Sequence, residues 1–168
     1  MIIKISGLKN GKHTYVFEGK TEKLEIEDPV NGEFKADVVL NKIDNQIILD
    51  VSTNTKANFI CDRCNEEFQQ EIGNSYKMVY VLESVENDKD ELDITYLAHE
   101  TDKIDLSDDV RDYIILSIPM KKLCKEDCKG LCIKCGKNLN EGPCECKEDE
   151  IDDRWKSLLD LKNKLNTN

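Results

Sequence analysis

The sequence predicts an α+β protein: a mainly antiparallel β-sheet domain with one or two helices and a cysteine-rich C-terminal extension. Residues 33–52 alternate apolar and polar side chains, the period of a half-buried strand. Two later stretches, from residues 105 and 152, repeat apolar residues at helical spacing. Six of the eight cysteines fall within residues 124–146.

Taken in order, Ile3 and Ile5 alternate with polar neighbours, and Thr14 to Phe17 form a second β-prone run. A charged, turn-rich stretch follows between Gly19 and Gly32. Phe34, Ala36, Val38 and Leu40 then face one side of a strand. After a turn at Asp44-Asn45, Ile47, Leu49 and Val51 do the same on the next. A further run from Thr55 to Ile60 leads into Cys61, and another extends from Phe68 through Ile72, Tyr76, Met78, Tyr80 and Leu82, which puts Cys61 and Cys64 at a hairpin tip. Glu83 to Glu91 read as an acidic loop, with a short strand around Leu92, Ile94 and Tyr96.

Asp105 or Ser107 is placed to cap a helix whose first turn holds Asp108 and Asp109, favourable at the positive end of the helix dipole. Its apolar face is Leu106, Val110, Tyr113 and Ile114, and Pro119 is expected to end it. A last helix is predicted over residues 152–165, with Trp155, Leu158, Leu159 and Leu165 on one stripe, a candidate partner-binding face. The 168 residues thus divide into a β-rich domain over 1–100, carrying the first cysteine pair, and a helical, cysteine-rich part over 101–168.

The net charge of −11 opposes broad contact with nucleic acid or anionic lipid, so any RNA contact needs a local basic patch. The N-terminal residues lack the apolar run of a signal peptide, and no run approaches the roughly 18 apolar residues of a membrane helix. A cytoplasmic protein without membrane contact is expected. In that reducing compartment cysteines serve as thiolate ligands more readily than as disulfides.

The cysteines form four close pairs: Cys61/Cys64, Cys124/Cys128, Cys132/Cys135 and Cys144/Cys146. Pairs at this spacing can bend round one zinc ion, and four pairs supply two tetrahedral sites. Three groupings are possible, and chain geometry ranks them. Cys132 and Cys135 precede Gly136, which lets the chain turn with positive φ past the second thiolate, and Gly142-Pro143 returns Cys144 and Cys146 to the same ion. Cys124 and Cys128 are left to meet Cys61 and Cys64, stapling the C-terminal segment onto the sheet. Two structural zinc ions with no open position argue against catalytic zinc, and a single Cys-x-x-Cys would equally suit redox chemistry. The competing class is a thiol redox protein or redox-regulated chaperone.

From Lys121 to Lys147 seven lysines face four acidic residues, but two zinc ions held by eight thiolates carry −4, which turns the local surplus of +3 into −1. The lysines are better explained by thiolate charge than by direct RNA contact. His13 and His99 stand apart from the cysteines, no carboxylate pair is placed for acid–base work, and neither a phosphate-cradling glycine loop nor a nucleophile–base pair is present. The sequence offers no small-molecule substrate site and no enzyme.

Cys61-Asp62-Arg63-Cys64, the Cys124/Cys128 pair, the run Gly130-Leu131-Cys132-Ile133-Lys134-Cys135-Gly136-Lys137-Asn138-Leu139-Asn140, Cys144-Glu145-Cys146 and Asp152-Asp153-Arg154 before a leucine-rich helix together resemble the YceD family, the large ribosomal RNA subunit accumulation proteins. Ile133 and Asp153 depart from prolines common in that family. The resemblance implies a role in ribosomal RNA processing or ribosome assembly. An acidic zinc-stapled module suits docking on a ribosomal protein, or on an rRNA-processing or assembly factor, better than gripping RNA.

Overall fold

In the computed structural model, residues 1–82, 94–146 and 158 are described. Their architecture is mostly strand. A five-stranded sheet of order β2-β3-β4-β5-β6 comprises β2 (Gly11–Lys20), β3 (Glu33–Ile43), β4 (Gln46–Ile60), β5 (Glu67–Leu82) and β6 (Ile94–Leu97). A second, two-stranded sheet pairs β1 (Ile2–Lys4) with β7 (Lys103–Asp105), and helix α1 spans Ser107–Leu116. All pairings are antiparallel except β5 with β6. Among the described residues no helix is long and apolar enough to cross a membrane.

The alternation read in the sequence is the alternation of burial. Phe34, Ala36, Val38 and Leu40 of β3 face inward beside Ile47, Leu49 and Val51 of β4, in a register fixed by the turn at Asp44-Asn45. Asp44 takes φ 49°, a conformation Asp tolerates, and its amide and carboxylate bond the Asn10 side chain. On the same face Leu106, at the cap of α1, and Val110 and Ile114 within it join Ile3, Ile5 and Ile104 in one continuous core. Tyr113 of α1 stacks on Tyr76 of β5, ring centroids 3.7 Å apart.

The structure departs from the sequence reading in four places. The runs expected at residues 47–51 and 55–60 are one strand, because Thr53 and Thr55 occupy inward positions that hydrophobic periodicity does not reveal. Their hydroxyls donate to the carbonyls of Asn74 (3.2 Å) and Glu33 (3.0 Å), which makes a polar residue tolerable inside. The short strand after the acidic loop is β6, and it pairs parallel to β5, a direction that no local pattern encodes. Strand β7 buries a single apolar residue, Ile104, too little to alternate. At the start of α1 the cap position belongs to buried Leu106 rather than to Asp105 or Ser107. Asp105 still serves the helix: its Oδ1 accepts the Ser107 N–H (3.0 Å) and hydroxyl (2.7 Å) and the Met1 ammonium (2.9 Å). The ammonium also bonds the Ser107 hydroxyl. The helix stops at Leu116, ahead of Pro119, with the Ser117 hydroxyl donating back to the Ile114 carbonyl (2.6 Å). The acidic loop at 83–91 and the terminal helix at 152–165 lie outside the described residues, save Leu158, which is helical and exposed.

Two outcomes are expected from this packing. The Tyr76 hydroxyl is buried without a partner among the described residues. Leaving such a group unpaired costs about 1–3 kcal/mol. Tyr76→Phe therefore keeps or raises the thermal midpoint, as calorimetry will read. The Asp105 carboxyl is held down to about 2, first by Ser107 and then by the terminal ammonium. Its stabilising contribution is complete above the ordinary carboxyl pKa of 3.8 and is lost as pH falls towards 2. Because the carboxylate is 57% exposed, Asp105→Asn costs at most about 1 kcal/mol at neutral pH. Acid titration of both proteins is expected to show that gap closing below pH 3.8.

Candidate metal centre

Strand β4 runs out at Ile60, and β5 begins at Glu67; the connection between them is a tight knuckle. Its Cys61 N–H donates to the Glu66 carbonyl (2.8 Å), the Asn65 N–H donates to the Cys61 carbonyl (2.9 Å), and Asn65 takes φ 58°. The turn presents Cys61 and Cys64 inward, both buried. Residues 122–128 close over them. The Cys61 and Cys128 sulfurs lie 3.8 Å apart and those of Cys64 and Cys124 3.6 Å apart. The four sulfurs fall within 4.8 Å of one another.

The two residues between Cys61 and Cys64 bind the arriving segment. Asp62 exchanges bonds with Lys122: its N–H donates to the Lys122 carbonyl at 2.8 Å and its carboxylate accepts the Lys122 N–H at 2.7 Å. Arg63 donates through Nη1 to the carbonyls of Glu126 (3.2 Å) and Cys128 (2.8 Å), and its own carbonyl accepts the Leu131 N–H (3.0 Å). Gly130 is required at that crossing. Its φ is +75°, and a Cβ there would stand 3.0 Å from the Arg63 carbonyl oxygen.

The second group is built locally. The Cys132 N–H donates to the Lys137 carbonyl (2.9 Å) and the Gly136 N–H to the Cys132 carbonyl (2.8 Å), with Gly136 at φ +72° as its place after the second cysteine required. The Lys134 N–H reaches the Cys132 sulfur (3.4 Å), and Cys144 returns to within 3.4 Å of the same sulfur. The Lys137 ammonium donates to the Pro143 carbonyl (3.0 Å), pinning the return. Cys132, Cys135, Cys144 and Cys146 again lie within 4.8 Å of one another.

These distances fit a tetrahedral dication. A metal–sulfur bond of about 2.3 Å implies a sulfur–sulfur edge of about 3.8 Å, against the observed 3.4–3.8 Å. All eight cysteines are free.

The acidities of the thiols are spread apart within each group. Burial pushes Cys61 up, but the N–H groups of Cys124, Cys64 and Arg63 outweigh it and bring the thiol down to about 6. Burial and the neighbouring thiols push Cys124 up to about 12. Cys64 also rises: the Glu66 N–H favours its thiolate, but burial and Cys61 prevail. Cys128 is lowered, chiefly by the Asn140 side chain. In the second group the N–H groups of Cys135 and Lys134 bring Cys132 down to about 6, while hydrogen bonding to Cys135 and burial push Cys146 up to about 12. A thiolate that forms easily opposes its neighbours, and a dication held between the sulfurs would offset that repulsion.

The eight cysteines therefore gather in the two groups of four that chain geometry favoured. His13 lies apart, its Nε2 2.9 Å from the Lys9 carbonyl, and His99 sits exposed after β6. Of the lysines near the cysteines, Lys122 lies over the Phe59 ring and Lys137 binds backbone. Sequence reasoning missed Asp62, Arg63 and Asn140, the residues that position the thiols.

Fold and site together define a β-sheet protein with two four-cysteine groups able to hold metal, one shared between the β4–β5 knuckle and the C-terminal segment and one within that segment. The chain belongs to the YceD family: residues 49–162 match the family model described as large ribosomal RNA subunit accumulation protein YceD. It is similar to the chloroplastic large ribosomal RNA subunit accumulation protein YCED homolog 1 of Arabidopsis thaliana, 28% identical over 159 residues that cover 79% of this chain and 49% of the relative. The Zea mays homolog of the same name is 48% identical over 46 residues, 27% of this chain and 16% of the relative. An uncharacterized protein of Mycobacterium tuberculosis is 36% identical over 58 residues, 34% of this chain and 28% of the relative. The chain thus spans about half the length, or less, of these curated relatives. No solved structure matches.

Partners that orient metal ligands are worth about 10–100-fold in affinity. Arg63→Ala, which leaves all eight sulfurs in place, is expected to weaken metal binding at the Cys61 group by about 10-fold in chelator competition.

Proposed function

We propose that this protein is a zinc-stapled, non-enzymatic factor for accumulation of large-subunit ribosomal RNA, acting in the cytoplasm through contacts with a ribosomal protein or an rRNA-processing or assembly factor. The observation that carries the reading is the pair of closed four-sulfur groups in a YceD-family chain. A tetrahedral ion with four thiolates keeps no position for water or substrate, which suits a structural role rather than a catalytic one. Soft sulfur donors at this spacing select zinc among the common divalent ions.

Zinc in the first group would tie the sheet to the C-terminal segment. Structural zinc contributes about 10–16 kcal/mol per site in peptide hosts, comparable with the roughly 5–15 kcal/mol that stabilises a whole domain. The segment would then depend on its metal for its fold, and the surface it offers would exist only in the loaded protein. Net charge −11 favours a basic protein partner over phosphate.

Elemental analysis of the purified protein is expected to find about two zinc ions per chain. Chelation or Cys61→Ala should lower the thermal midpoint and open residues 120–146 to protease. A metal-free native protein with a readily reduced disulfide would replace this reading with thiol redox chemistry. Tagged protein is expected to co-sediment with large-subunit precursors and to lose them on chelation. Absence from those particles and from their proteins would refute the assignment. RNA binding by the isolated protein with a steep salt slope would move the contact from protein to phosphate.

A further inference from the structure

Resting on the reading of both groups as metal sites, we propose that the two centres are coupled through Asn140, which the loop of the second centre holds as an outer hydrogen-bond donor to Cys128 of the first. Full metal affinity at the first centre then requires the second to be loaded.

Asn140 lies between Cys135 and Cys144, within the loop that the second centre closes. Its side chain points the other way. Nδ2 donates to the buried Cys128 sulfur at 3.3 Å and to the Asn138 Oδ1 at 2.9 Å, which uses both of its hydrogens. Oδ1 accepts the Lys129 N–H at 2.9 Å, one residue beyond Cys128. The Asn138 Oδ1 also accepts the Asn140 N–H at 3.0 Å, and its Nδ2 reaches Glu66 Oε1 at 3.3 Å, at the foot of the Cys61 knuckle. Between them the Leu139 N–H donates to the Gly130 carbonyl at 2.9 Å. Residues 138–140 therefore belong by chain to the second centre and by hydrogen bonding to the first.

The direction of the coupling follows from what holds the loop. Residues 136–143 are closed at one end by Cys132 and Cys135 and at the other by Cys144 and Cys146. Besides the ion, the Lys137–Pro143 contact and the Leu131–Asn138 bridge help to hold the loop. Cys135 is exposed and its three companions are half-buried, whereas three of the four sulfurs in the first group are buried. A chelator in solution meets the second centre first. Once that ion leaves, the four sulfurs lose their common centre, the loop loses that closure, and the aim of Asn140 at Cys128 slackens. By reciprocity, an empty first centre removes the anchor for Asn140 and weakens the second.

The test uses the full chain loaded with cadmium, whose NMR spectrum gives each thiolate site its own resonance, and zinc competition with a chromophoric chelator. Cys144→Ser/Cys146→Ser is expected to bind one ion, about 10–100-fold more weakly than the first centre of the parent. Asn140→Ala is expected to retain two ions, to shift the cadmium resonance of the first centre, and to weaken that centre by a similar factor. Should the serine variant fail to fold, the alanine variant still decides. First-centre affinity and resonance unchanged in Asn140→Ala would overturn the coupling. A parent chain that binds no metal would instead overturn the metal reading on which it rests.

Discussion

Eight thiols gathered into two groups of four create a charge problem that neither the sheet nor the helix can solve. Each group supplies N–H donors that favour a thiolate at one position and leaves another thiol opposed by burial and by its neighbours. A dication is the small, dense counter-charge that such a cluster calls for. Residues 122–146 are arranged around the two groups of sulfurs. They contain little regular structure, so their shape depends on sulfur, on backbone bonds to Asp62 and Arg63, and on the asparagines between the two groups.

The sheet's part is to set one half of the first group rigidly in place. Strands β4 and β5 pair from Gln46–Val81 to Ile60–Glu67, well past the end of β3, and carry the knuckle out on a two-stranded ribbon. At that end Phe59 and Phe68 pack together beside the cysteines, and the Asn58 N–H bonds the Pro29 carbonyl, which secures the ribbon where β3 no longer covers it. The site stands on paired strands on one side and on loops of little regular structure on the other.

Much of this was legible in the sequence, for identifiable reasons. Strict alternation at Phe34–Leu40 and Ile47–Val51 announces a half-buried antiparallel pair because one face is core and the other is water. The cysteine grouping was legible because the spacing within a pair, and Gly136 after one of them, limits what the backbone can do. What escaped reading depends on partners distant in sequence. Inward Thr53 and Thr55 need the carbonyls of Asn74 and Glu33. The direction of β6 is decided by β5, and β7 exists because β1 needs an edge partner. Asp62, Arg63 and Asn140 look like ordinary loop residues until the chain brings Cys128 beside them.

The separation of 67 residues between Cys61 and Cys128 also orders events during synthesis. The β4–β5 hairpin is a local structure and forms early, whereas the first centre closes a long loop. Cys61 and Cys64 leave the ribosome long before their companions, and until then the ribbon carries a two-thiolate half-site on finished scaffold. The second group draws all four of its sulfurs from one short segment, residues 132–146. The joint between the hairpin tip and residues 124–128 is thus a late one, added to parts that the packing of α1 on the sheet and the β1–β7 pair already hold together.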